Sequence, residues 1–219
     1  MEIIVCFRSG DDKFANALTW AFPLADYENI DISSGPLFDR QFIEQKDGGL
    51  NKYDAIVIIG NSFGILKGSP WCTIFGSGLE KEVQQKIYSY YDGFLPIGLA
   101  TIVDHAGKKF IYAPAAVSTE NIKQTLGIFL AMKAVLKTID IYNENADGDE
   151  IAEIIFGGDI TLGMNCYAAA YQLRVAYDAY YHIGPMFDVQ GNSQKTRRLH
   201  HHMLMVKEPF NLKTANYEV

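Results

Sequence analysis

Asn61 and Ser62 stand where an apolar run breaks off. In "DAIVIIGNSFGILKG" (54–68), Ala55 to Ile59 empties into Gly60, Asn61 and Ser62, and Gly64 and Gly68 follow. A buried strand that opens into a polar, glycine-punctuated loop is where α/β proteins place ligands. A second such break comes after Ile151–Phe156, at Gly157 and Gly158, and continues to Asn165. Backbone N–H groups in loops of this kind, close to a helix N-terminus, favour an anion, most often a phosphate. Two such loops in one chain imply a nucleotide-like ligand held mainly by backbone.

Other side chains with chemical potential have plainer readings. Asp104 and His105 form a possible acid–base pair, but Gly107 follows closely and a turn accounts for both. His200, His201 and His202 project in different directions in a helix or a strand, so at most two could share a metal. A surface tail explains them, and no metal site is expected. Cys6, Cys72 and Cys166 are far apart and odd in number, which excludes a disulfide framework and a paired-cysteine metal site. Lys67-Gly68-Ser69 lacks the preceding glycine spacing of a P-loop. Phe63, loop-borne beside Asn61, is placed to stack on a base or a ribose.

The elements that must position these residues follow from periodicity. Glu2–Phe7, Ile30–Ser33, Ala55–Ile59 and Ile151–Phe156 read as strands. Leu99–Val103 and Lys109–Ala113 read as a pair joined by a tight Asp-His-Ala-Gly turn, too short for a parallel crossover. Helices are expected at Lys13–Ala21, along the face of Leu79, Val83, Ile87 and Tyr90, from Ile122 to Ile139, and from Cys166 to Tyr181. Alternating strands and helices predict an α/β fold with helices on both faces of a mixed central sheet, a three-layer sandwich. The 219 residues, 48% hydrophobic, suffice for one domain, drawn at 1–183 with a C-terminal extension at 184–219. No apolar run is long enough for a bilayer and the N-terminus does not read as a signal peptide, so a cytoplasmic protein without membrane association is expected. The net charge of −7 weighs against nucleic-acid binding, despite the basic stretch Lys195–Arg198. No cofactor is called for, and the oligomeric state is left open.

The order of short motifs resembles the macrodomain family, in its bacterial and phage type, over roughly residues 1–182. "ISSGPLFD" (32–39), "DAIVIIGNSFG" (54–64), "FGSGLEKEVQQKI" (75–87), "LPIGLATIV" (95–103), "FIYAPA" (110–115), "GGDITLGM" (157–164) and "AAYQLRVAYDAY" (169–180) occur in the family's sequence order. The resemblance implies binding of ADP-ribose or a related NAD-derived nucleotide. Asn61 would hydrogen-bond the distal ribose. Ser62 to Ser69, with Phe63, Gly64 and Gly68 among them, would line the phosphates. Gly158, Asp159, Thr161, Gly163, Met164 and Asn165 would form the second phosphate loop.

Three departures bear on function. Pro36 stands where the family has an adenine-binding aspartate, and proline offers neither carboxylate nor N–H. Gly68-Ser69-Pro70-Trp71 replaces the segment that carries the catalytic acid of hydrolytic members. A rival alignment makes Glu80 that acid, although a solvated first-turn carboxylate explains it more simply. Asp159 places a negative charge beside a phosphate loop, which is repulsive unless it is turned away, protonated or bridged. The expectation is therefore a binding module more than an enzyme. An ADP-ribosyl hydrolase or 1″-phosphatase using Glu80 or Asp159 is the alternative, and a scaffold with a decayed pocket serving protein interaction is the third reading.

Overall fold

The computed structural model describes residues 2–46, 48–118, 122–123, 125–158, 160–181 and 203–204. Six strands form one mixed sheet: β1 (Ile4–Ser9), β2 (Ile30–Ser34), β3 (Ala55–Asn61), β4 (Thr101–His105), β5 (Lys108–Ala116) and β6 (Glu153–Phe156). Their spatial order is β2-β1-β6-β3-β5-β4. All neighbours run parallel except β4, which pairs antiparallel with β5 at the edge. The hairpin turns through Ala106 and Gly107, both at positive φ, the backbone twist that suits a two-residue hairpin loop.

Alternation along the strands separates two cores. Val57 and Ile59 face one layer, with α1 (Asp12–Ala21), α5 (Gly127–Asn143) and α6 (Cys166–Tyr180). Ile56 and Ile58 face the other, with α3 (Pro70–Phe75), α4 (Ser77–Tyr91) and partly buried residues of α2 (Arg40–Glu44). Central strands buried on both faces read as unbroken apolar runs, as β3 does. The expected three-layer α/β sandwich with a mixed sheet is thus the observed architecture.

Local chemistry fixes the element ends. Asp11 caps α1 by accepting from the Lys13 amide at 2.9 Å, and Asn165 caps α6 through the amides of Tyr167 and Ala168. Asp54 accepts from the amides of Ala152 and Glu153, both at 2.8 Å, which sets the start of β6 against β3. Gln172, fully buried on α6, accepts from the Phe129 amide and donates to the Thr125 carbonyl, tying down the first turn of α5. Met203, from the stretch assigned to the extension, is fully buried in the core beside α6, and its carbonyl also accepts from Gln172.

Some boundaries differ from expectation. α5 begins at Gly127, five residues past Ile122, where a Cβ would stand 1.9 Å from the Ala115 carbonyl oxygen. The first strand of the hairpin starts at Thr101, because residues 96–99 turn instead. Helices α2 and α3 are too short to show an apolar period, though Pro70 after Ser69 marked the start of the second.

The end of β3 is held by one buried phenol. Between Gly60 and Asn61 the pairing with β5 slips by a residue, so Asn61 lies opposite Ala116. The Tyr112 hydroxyl donates to the Asn61 carbonyl at 2.7 Å and accepts from the Asn61 amide at 2.8 Å. It can do so only because residue 60 has no side chain: a Cβ there would sit 2.2 Å from that oxygen. Tyr112→Phe should cost about 1–3 kcal/mol, since it strands two buried backbone groups. Gly60→Ala should destabilise by a similar amount through overpacking. Chemical denaturation of both variants and the double variant checks the pairing. The double variant should lose less than the sum, because removing the oxygen relieves its overlap with the new methyl.

Candidate functional site

Two cavities lie side by side beyond the C-terminal ends of β1, β3 and β6. The first, about 450 Å³, is bounded by the end of β3, the loop 65–71, Ala116 and Ser118 of the β5 end, and Gly158, Leu162 and Gly163. The second, about 470 Å³, is bounded by Arg8 to Asp11, Pro36 to Phe38, and Ile160 and Thr161. Phe38, Pro70 and Gly158 belong to both walls. The cleft therefore joins the two glycine loops singled out in the sequence.

The first loop is braced from within. Asn61 is 5% exposed, and its side-chain oxygen accepts from the amides of Phe63 and Ile65 while its nitrogen donates to the Ile65 carbonyl. Glu80 on α4 accepts from the Leu66 amide at 2.6 Å. The Leu66 carbonyl takes the Ser69 amide, the Ser69 hydroxyl and the Cys72 thiol. The amides of Gly64 and Ser62 are also bonded, to Asn61 and to the β5 end. Gly64, at φ +69, is close-packed against Val83 and Ile87 of α4. What remains open is small. Among the described residues, the amides of Lys67, Gly68, Gly158 and Gly163 have no hydrogen-bond partner, and all four residues line the first cavity.

This redistributes the residues expected to bind. Asn61, Gly68, Ser69, Gly158 and Gly163 line the first cavity and Thr161 the second. Ser62 is fully buried, with its carbonyl accepting from Leu95 and its hydroxyl turned to the Ala116 carbonyl. Phe63 lies outside both cavities, edge-on to Phe94 at 5.6 Å. Met164 is buried against Gln172, and Asn165 is a helix cap. Ser62, Met164, Asn165 and Gly64 thus make structural contacts, whereas Phe63 is 42% exposed. Asp159 and the three histidines lie outside the described residues.

The candidate acids divide similarly. Glu80 is a tether between α4 and Leu66 and lines neither cavity, so the reading as a merely solvated carboxylate needs correction. Trp71 is 5% exposed and forms a wall of the first cavity, edge-on to Phe38 at 4.8 Å. His105 is more than a turn residue. Its ring bridges the Glu82 carboxylate at 2.9 Å and the Phe75 carbonyl at 2.7 Å, which joins α3 and α4 to the hairpin. No carboxylate lines the first cavity among the described residues, and none of their His, Cys, Asp and Glu side chains cluster to hold a metal. No described helix is long and apolar enough to cross a membrane.

Sequence reasoning passed over Arg8 and weighed Lys67 only as part of an incomplete P-loop pattern. Lys67 lines the first cavity and Arg8 the second, each without an ion pair among the described residues. Arg8 belongs to no motif, and its only signal was its place at a strand end.

No family model matches the chain, and no curated protein matches it either. Among solved structures, the macrodomain of Mycobacterium tuberculosis DarG matches at a TM-score of 0.45 with 15% identity, covering 70% of this chain and 93% of that one. A likeness of that size assigns neither a ligand nor an activity.

Two measurements follow from the bracing. Asn61→Ala removes three hydrogen bonds, worth about 1 kcal/mol each when averaged over such bonds. Its melting temperature should fall by several degrees, at roughly 2–4 °C per kcal/mol for a chain of this size. Burial and the neighbouring Glu80 carboxylate push the Cys72 thiol up. The thiolate is the reactive form, so iodoacetamide should alkylate Cys72 more slowly than a free thiol at pH 8, with a rate still climbing above the ordinary thiol range.

Proposed function

We propose that the cleft binds ADP-ribose or a closely related NAD-derived dinucleotide, with the diphosphate in the first cavity. The observation that carries this reading is the set of four unpartnered amides, on Lys67, Gly68, Gly158 and Gly163, around one cavity. Unpaired backbone N–H groups are costly when shielded from water and are natural donors to phosphate oxygens. Lys67 adds a positive charge on the same wall, in a chain whose net charge is −7. The ordered macrodomain-like motifs in the sequence support the same ligand class. The second cavity, which shares Phe38, Pro70 and Gly158 with the first, has room for a nucleoside.

Binding is favoured over hydrolysis by the character of the first cavity. Among the described residues, Trp71, Pro70 and Leu66 line this cavity and no carboxylate or imidazole does. A positioned acid or base contributes typically about 10²–10⁴-fold, and its absence leaves slow turnover. Glu80 is already committed to the Leu66 amide.

Calorimetric titration with ADP-ribose tests this reading. Wild-type protein should bind it, and Ser118→Trp, which fills the first cavity from a partly exposed position, should weaken binding at least tenfold while leaving the melting temperature nearly unchanged. Absence of ADP-ribose binding to the wild-type chain, or unaltered affinity in Ser118→Trp, would remove the ligand from this cavity.

A further inference from the structure

The second cavity holds a cation that the fold has taken trouble to immobilise. Arg8 is half-buried near the C-terminal end of β1, and its guanidinium carbon lies 3.8 Å above the centre of the Phe42 ring. Its Nε donates to the Pro36 carbonyl at 3.3 Å. One terminal nitrogen, Nη2, stands 2.8 Å from where a Cβ of residue 35 would be, and that residue is Gly35 at φ +114. A side chain at position 35 would thus displace the guanidinium. Face, edge and flank are all held, which lowers the ordering cost of using the group in recognition.

Arg8 has no carboxylate partner among the described residues. Asp11 is the other charged residue lining the cavity, and its Oδ1 accepts from the Lys13 amide as the cap of α1. The rest of the lining combines apolar Phe14, Leu37, Phe38 and Ile160 with glycines, prolines and small hydroxyls. A largely apolar cavity with a fixed guanidinium in its wall is suited to a group that offers two adjacent acceptors. An adenine edge does not, because its N6 amino group would meet another donor. Phosphate oxygens and the O6/N7 edge of guanine both do.

We infer that Arg8 makes the second cavity select a ligand group with two adjacent hydrogen-bond acceptors over adenine alone. This rests on the reading of the cleft as a dinucleotide site and departs from it in the choice of base or ribose substituent.

The test titrates wild type, Arg8→Gln and Arg8→Lys with three probes: ADP-ribose, GDP-ribose and ADP-ribose 2′-phosphate. Wild type should bind GDP-ribose or the 2′-phosphate about tenfold more tightly than ADP-ribose, within the range of one bidentate contact. That preference should collapse in Arg8→Gln, with the three affinities falling within about twofold of one another. Arg8→Lys distinguishes the two sources: a point charge retains a phosphate preference, whereas a guanine preference needs the fork. Equal wild-type affinities for all three probes, or a preference that survives Arg8→Gln, overturns the inference and leaves the dinucleotide reading standing. An Arg8-dependent preferred probe with no ADP-ribose binding supports the inference and confines the failure to the adenine ligand. No binding of any probe overturns both.

Discussion

One buried hydroxyl decides whether the cleft has a floor. Where β3 and β5 lose register, the Asn61 amide and carbonyl are both bonded by the Tyr112 phenol, which burial keeps protonated by pushing its ionisation up. A neutral phenol is both donor and acceptor, so one group serves both backbone atoms. Gly60 leaves the space and Tyr112 fills it. With Asn61 fixed, its side chain can organise residues 63–65, and Glu80 can fix Leu66 beyond them. The loop is in effect an extension of the sheet, built from polar contacts instead of a ladder.

That bracing narrows what the loop can offer. A glycine-rich loop suggests a continuous row of amides facing a ligand, yet most of this row is turned inward. The amides of Ser62, Phe63, Gly64, Ile65, Leu66 and Ser69 are all bonded within the protein. Lys67 and Gly68 remain, opposite Gly158 and Gly163 of the second loop, all lining one cavity. Such pre-organisation lowers the entropy lost when a ligand is held, because the donors are already in place. It also assigns the glycines different roles. Gly60 and Gly64 avoid close neighbours, and Gly68 meets no atom within 4 Å but takes φ +80.

The layers of the fold were legible because apolar periodicity is a direct consequence of burial. Val57 and Ile59 on one face and Ile56 and Ile58 on the other make β3 readable as a central strand. The tight hairpin was legible from Ala106-Gly107, and with it the mixed sheet. The site was legible only as two loops. Asn61 looked like a ligand-facing group because its type and position permit it, but a short polar side chain serves its own backbone equally well. Glu80 and His105 could not be assigned from sequence, since their partners, Leu66, Glu82 and Phe75, are brought close only by the packing of α3 and α4 on the hairpin. Arg8 gave no local signal beyond its place at a strand end, because its role depends on Gly35, Pro36 and Phe42 across the chain.

The central claim is that a phosphate-bearing ligand is held by four particular amides left open when the loops fold. Amide ¹H–¹⁵N spectra recorded during titration with ADP-ribose test it most directly. The account expects the largest shifts at Lys67, Gly68, Gly158 and Gly163, with smaller ones at Phe63, Ile65 and Leu66, whose amides are already bonded. Shifts centred elsewhere, or spread over Phe63 to Leu66 while those four stay still, would contradict it.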